Sequence, residues 1–205
     1  MGLEEELSRI PSYSAELGLD LHKPEDRFKW FLASILFAKR ISANIAKATY
    51  RQFENAGLTT PERILEAGWD RLVEVLDSGG YVRYDFSTAS NLLEVMKNLK
   101  EKYGNLEYLN IISKDPLDLE DRLEEFRGVG PVAVNIFLRE LKGIWRNAQP
   151  KPSKISLETA KKLNLKKIER YESALVRLNL EYCKKRRCGE CPVERYCSQK
   201  ISSRK

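Results

Sequence analysis

The stretch EEFRGVGPVAVNIF, residues 124–137, decides how the rest of the chain is read. Gly128 and Gly130 flank Val129, then a proline and an apolar run of helical period follow. Glycine reaches backbone angles closed to other residues, so both glycines point to a tight turn. Proline suits the first position of a helix, where its missing N–H has no partner to lose, so Pro131 opens a helix. The first N–H groups of that helix are unpaired and face outward, which favours an anion there. Upstream, DPLDLEDRLEEF (115–126) reads as a second helix, so a helix–turn–helix is expected near 118–141. Nothing in Gly128–Val134 can act as acid, base or nucleophile. The turn is a grip, and any chemistry must come from other residues.

Working outward, the period stays helical. In EDRFKWFLASILF (25–37), Phe28, Phe31, Leu32, Ile35 and Leu36 form one stripe. Ser42 is placed to cap a following helix that turns Ile45, Ala48 and Phe53 inward. TTPERILEAG (59–68) has a cap at Thr60, proline next and glycine at its stop, and WDRLVEVLDSGG (69–80) is a short helix ending in paired glycines. A long helix is expected at about Ser87–Tyr103, and two last ones at about Leu157–Leu163 and Ile168–Tyr182. KGIWRNAQPKPSKIS (142–156) has no period and is rich in proline and lysine, which predicts a loop. No run alternates like a strand. The chain reads as all-α, with about ten helices and no internal repeat.

Its 205 residues are 42% apolar and 32% charged, a globular balance. No stretch approaches the ~20 apolar residues of a membrane span, and MGLEEELSRI lacks the pattern of a signal peptide. These features lead us to expect a cytoplasmic protein with no membrane partner. The net charge of +6 is uneven. Residues 151–205 hold 16 Lys/Arg against 6 Asp/Glu, and residues 1–150 hold 20 against 24. A basic C-terminal region on a nearly neutral body suits a polyanion, though a merely solvated face has the same composition.

All four cysteines fall in CKKRRCGECPVERYC, as Cys183, Cys188, Cys191 and Cys197. Four thiolates so close in sequence can close around one tetrahedral centre, and in a cytosolic chain a metal is a better reading than disulfides. Spacing alone leaves zinc and a [4Fe-4S] cluster both open. Lys184, Lys185, Arg186 and Arg187 stand between the first two ligands, where a metal-pinned loop would present them to phosphate.

Taken together, these motifs resemble the endonuclease III branch of the helix-hairpin-helix (HhH-GPD) DNA glycosylase superfamily, over nearly the whole length. FRGVGPVAVN is similar to that family's hairpin, with Gly128, Val129, Gly130 and Asn135 in register. LFAKRISANIAKAT (36–49) is similar to its early helix pair, and the cysteine run to its [4Fe-4S] loop, with the first gap two residues shorter here. The resemblance implies two helical domains: a six-helix barrel at 24–148, and a cluster domain of 1–23 plus 149–205 with its loop at 183–197. It implies [4Fe-4S] rather than zinc, double-stranded DNA as partner, a monomer, and a nucleoid-associated location. The hairpin (Gly128, Val129, Gly130), the basic loop (Lys184 to Arg187) and Lys39 with Arg40 would contact DNA. Lys39 falls where the family has a wedging glutamine, and Phe37 or Ile41 would be an apolar substitute.

Two family groups are absent. The nucleophilic lysine position is Val132, and no carboxylate lies between Glu140 and Glu158, where the family's aspartate belongs. An apolar residue cannot attack a sugar carbon, and the loop's lysines would oppose a developing positive charge. The substitutes to consider are Asp85 as a relocated carboxylate and Lys154 as an amine nucleophile. Asp85 as a plain helix cap and Lys154 as a solvated lysine are the simpler alternatives. Tyr81, Tyr84 and Trp145 are the candidates for lining a base pocket, with core packing as their ordinary role. The expected function is recognition of a damaged or modified base in duplex DNA, by flipping it out of the stack. Cleavage of the N-glycosidic bond follows only if non-standard residues replace the missing pair. The alternative is a non-catalytic iron–sulfur module that senses damaged or bent DNA.

Overall fold

Helix starts follow local chemistry in the computed structural model, which describes residues 2–199. The ends of the expected outer domain, residue 1 and residues 200–205, lie outside the described residues. Five helices begin behind a side-chain cap. Ser42 accepts from the Ile45 amide ahead of α4 (Ala43–Asn55), and Thr60 from Arg63 ahead of α5 (Pro61–Ser78). Asn105 caps α7 (Leu106–Ile112), Asp115 caps α8 (Pro116–Glu124) and Ser153 caps α10 (Lys154–Lys162) in the same way. Each cap satisfies one amide that has no partner within its helix. Proline opens α3 (Pro24–Phe37), α5, α8 and α9 (Pro131–Arg139). The remaining helices are α1 (Leu3–Arg9), α2 (Tyr13–Glu16), α6 (Asp85–Asn98) and α11 (Ile168–Leu178). No strand occurs among the described residues, and a single bridge joins Lys142 and Trp145. The fold is all-α. No helix among the described residues is long and apolar enough to cross a membrane.

The two segments read as separate helices around Gly68 run on as α5, but Gly68 itself is non-helical (φ 72°, ψ 177°) and breaks its axis. The helix expected to reach Tyr103 is α-helical only to Asn98, and the wider turn Leu99–Tyr103 completes it. The last helix ends likewise, with Asn179–Cys183 leading into the cysteine run.

The chain forms two compact units, one of Leu17–Pro150, the other of the segments that end at Glu16 and begin at Lys151. In the larger unit α3 is the centre. Trp30 through Leu36 are all buried, so this helix is covered on every side where one stripe was expected. Phe31 meets Phe126 and Phe137 edge-on, at 6.2 and 5.2 Å between ring centroids. The larger unit starts before the expected boundary at residue 24, and the reason is local. Leu17, Leu19 and Leu21 are buried, and the buried Arg27 donates to the Leu21 carbonyl at 2.8 Å. The same guanidinium grips Glu107 of α7 with two bonds, of 2.7 and 2.8 Å. In the smaller unit Leu7, Leu163, Leu175, Leu178 and Val193 form the core. Arg177 bonds Glu16, Glu181 and the Pro11 carbonyl, and its guanidinium lies 5.0 Å from the Tyr13 ring centre, which ties the N-terminal segment to α11.

Gly79 marks a close approach of two backbones in the larger unit. A Cβ placed there would stand 2.3 Å from Thr49 Cα on α4. Its φ of −86° is ordinary, so the demand for glycine is purely steric. Gly79→Ala should lower unfolding stability by about 1–3 kcal/mol, the usual result of overpacking, because backbone cannot move aside. Chemical denaturation with an unchanged midpoint would show that α4 and α5 can separate freely.

Candidate nucleic-acid interface and thiol cluster

The hairpin turn is built by burying two of its residues. Phe126 and Val129 are core, and the Val129 amide bonds the Phe126 carbonyl at 2.9 Å. That reversal puts Gly128 at φ +83°, where side-chain-bearing residues are strained. Its Cα also faces Asn91 of α6 so closely that a Cβ would meet the Asn91 amide nitrogen at 2.3 Å. One helical turn along α6, Glu94 accepts from Arg127 at 3.2 Å. Local spacing could not reveal that α6 buttresses the turn, since the contact is wholly tertiary. Gly130 differs from the expectation. Its φ of −107° is open to any residue, and nothing lies within 4 Å of a Cβ there. It caps α9 without a side chain, which leaves the amides of Val132 and Ala133 uncovered. Val132, in the family's lysine slot, is 60% exposed.

Lys39 and Arg40 stand on the turn between α3 and α4, and neither has a carboxylate partner among the described residues. The nearby candidates for a base pocket are placed otherwise. Tyr81 is fully buried, its hydroxyl donates to the Leu36 carbonyl at 3.0 Å, and burial pushes its pKa up. It is a core residue and lines no open pocket. Tyr84 is half-buried, edge-on to Tyr81 at 6.3 Å, with the Arg83 guanidinium 5.5 Å from its ring centre. Trp145 is 4% exposed and packs edge-on against Phe137 at 5.4 Å, so it too belongs to the core. Its indole N–H has no hydrogen-bond partner. The following loop is pinned by Asn147, whose amide donates to the Ser113 carbonyl at 2.7 Å.

Asp85 is the first residue of α6, and its Oδ1 accepts from the Phe86 amide at 2.7 Å. Asp77, at the end of α5, is held above the usual carboxylate range by desolvation and by its hydrogen bond to Asp85. Asp85 therefore serves the helix start and lies against a second carboxylate, Asp77. Lys154 is not on a loop: it is the first residue of α10, behind the Ser153 cap, and is exposed. It lacks the apolar surroundings that activate an amine nucleophile. The Ser153 amide in turn bonds the buried Glu172 at 2.9 Å.

In the smaller unit all four cysteines are free thiols lining one cavity of about 30 Å³, together with Lys162, Tyr182, Glu194 and Gln199. Among the described residues no three His, Cys, Asp or Glu side chains are already spaced to hold an ion. The cavity is anchored through Val193, which is core, with Cys191 and Cys197 packed beside it. Ser198 closes the loop by bonding the Lys162 carbonyl through its amide (2.8 Å) and hydroxyl (2.9 Å). Burial pushes the Cys183 and Cys191 thiols up, and the neighbouring cysteines add to it. A cationic centre reverses that penalty, because thiolates bound to a metal are stabilised. Four thiols lining one cavity are a donor set whose chemistry suits such a group. The basic run is exposed, but its members differ. Lys184, Lys185 and Arg186 have no carboxylate partner among the described residues, whereas Arg187 makes a two-bond pair with Glu190. Arg186 adopts φ 55°, which turns the run back toward Cys188. Lys162 and Glu194 were not legible as cavity residues, because they reach it from a separate helix and a later turn.

Compared with known proteins, the chain matches no family model and no curated protein.

The two hairpin glycines should separate in mutagenesis. Gly128→Ala should destabilise the protein by at least about 1 kcal/mol, since positive φ alone costs a side chain about that much. Gly130→Ala should leave thermal unfolding unchanged. Equal midpoints for both variants would mean that the turn relaxes away from Asn91.

Proposed function

We propose that this chain is a DNA-binding protein of the base-excision-repair glycosylase type, which holds duplex DNA by its backbone and recognises a damaged or modified base by flipping. The observation that carries the reading is the α8–α9 hairpin. A turn buttressed by α6 ends in amides at the start of α9 that no side chain caps. Backbone amides at a helix start bind phosphate without reading sequence. Unpaired cations add to this, Lys39 and Arg40 on one unit and Lys184, Lys185 and Arg186 on the other. Arg187 contributes less, because Glu190 already occupies it. The fold we propose is the two-domain helix-hairpin-helix glycosylase architecture.

Cys183, Cys188, Cys191 and Cys197 would hold a [4Fe-4S] cluster. Such a cluster would supply iron–thiolate bonds that tie the basic loop to the rest of the smaller unit. The chain's own residues then set the loop's shape: Val193 anchors it and Ser198 closes it.

The second reading is a module that binds without cutting. Asp85 is engaged by a backbone amide and by Asp77, Lys154 is exposed, and Val132 fills the nucleophile slot. None of these placements supports stabilisation of a positive sugar or attack on it.

Affinity for duplex DNA should fall steeply with salt, with a log–log slope of roughly −4 if five cations each neutralise one phosphate. Replacing Lys39 and Arg40 by alanine should make that slope shallower by about two. Gly130→Lys should abolish binding with the fold intact, since open space surrounds the site. Affinity that is flat across salt, or untouched by Gly130→Lys, would reject the phosphate-clamp reading.

The purified protein should be brown, with broad visible absorbance and matched iron and sulfide content, all lost in Cys191→Ser. A colourless protein holding one zinc would replace the cluster with a zinc centre. A screen of oligonucleotides carrying different base lesions separates the two readings. Base release abolished by Asp85→Asn would establish a glycosylase with a relocated carboxylate. Intact substrate on every lesion, with tight binding to some, would establish the binding module.

A further inference from the structure

Trp69 and Phe86 form an aromatic pair at the surface of the larger unit. Trp69 is 39% exposed and Phe86 59%, with ring centroids 5.3 Å apart and planes tilted by 39°. The pair is fixed in place. The Trp69 indole N–H donates to the Ser90 hydroxyl at 3.0 Å, and that hydroxyl donates to the Phe86 carbonyl at 3.0 Å. The break at Gly68 directs the chain so that Trp69 begins the second half of α5 beside α6. An indole held by its edge keeps its faces available, whereas a tryptophan seated for packing is normally buried, as Trp30 is.

The pair is continuous with the hairpin along one face of α6. Phe86, Ser90 and Glu94 recur at intervals of four, so they share that face. Ser90 holds Trp69 at one end, and Glu94 holds Arg127 beside Gly128 at the other. The span from Phe86 to Glu94 is about 12 Å along the helix, close to the rise of three or four stacked nucleotides. The Arg127–Glu94 pair is exposed, and such pairs contribute little, so Arg127 can exchange Glu94 for a phosphate. Arg83, on the turn before α6, has no carboxylate partner among the described residues and is also exposed. Asp70 and Asp85 adjoin Trp69 and Phe86 in sequence. They disfavour a phosphate at the platform itself and leave the ring faces as its means of contact.

We infer that Trp69 and Phe86 are a stacking platform for an unpaired nucleobase, a few nucleotides along the strand from the phosphate held at the hairpin. The inference rests on the DNA-binding reading above and extends it, because it assigns the chain a preference for DNA with an unstacked base outside any base pocket. Base–aromatic stacking tolerates every base and depends little on charge. The platform's contribution is therefore insensitive to salt, unlike that of the cations.

The test uses the full chain with two probes of equal paired length, a blunt duplex and the same duplex with a three-nucleotide single-stranded overhang. Trp30 and Trp145 are buried, so a base stacking on Trp69 dominates the change in tryptophan fluorescence. The overhang duplex should bind more tightly than the blunt one and quench that fluorescence. Phe86→Ala should weaken overhang binding about tenfold at low and moderate salt alike, with blunt-duplex binding unchanged. Phe86→Tyr should restore it. If Phe86→Ala binds the overhang like the parent while Gly130→Lys loses both probes, the platform is overturned and the hairpin reading stands. If the parent chain binds neither probe, both readings fail. Quenching that follows protein concentration without DNA would assign the rings to a second copy of the chain and overturn the inference.

Discussion

The reversal between α8 and α9 is the constraint on which the candidate interface depends. Phe126 and Val129 must both enter the core within four residues, and α9 must start immediately afterwards. The chain can meet both demands only through a left-handed residue, which is Gly128. Asn91 and the Arg127–Glu94 pair then hold the turn against α6. As a result the α9 amides are presented by a rigid support, and the absence of reactive side chains there is consistent with positioning alone.

Burial also decides what the aromatic and acidic candidates can do. Tyr81 and Trp145 contribute their rings to the core, Tyr81 with its hydroxyl satisfied by Leu36. Asp85 spends its oxygen on the amide of its neighbour Phe86 within the first turn of α6, and the cap position itself falls to Tyr84, which makes no side-chain cap bond. Trp69 and Phe86 are left to the solvent as a tilted pair, which a reading by motif passes over because neither belongs to a recognisable pattern.

Charge is sorted in the same manner. The four consecutive cations at 184–187 look equivalent in a count of charges. In the fold, Arg187 is neutralised by Glu190 three residues on, and the other three stay open. The larger unit is close to neutral, yet Lys39, Arg40 and Arg83 lack carboxylate partners among the described residues. Net charge per segment thus describes an interface less well than the pairing of each group.

The helical class, the caps at Ser42 and Thr60, the glycine turn and the cysteine run were legible in the sequence, because each depends on residues within one or two turns of one another. Side-chain caps, proline at helix starts and a 3.6-residue period act locally and leave local marks. Other features were decided by tertiary structure alone. Leu17–Leu21 joined the larger unit because Arg27 bridges them to a helix eighty residues away in sequence. Gly128 proved indispensable for its angle, and Gly130 ordinary in its own, because only the packing of Val129 distinguishes them. The Ser153 cap that starts the helix at Lys154 is local, but its own amide is held by Glu172, a partner no local window contains. The sequence by itself determined which elements form and what chemistry they contain. The tertiary structure decided which of those groups are buried, paired or free, since burial and pairing depend on residues brought together only when the chain has folded.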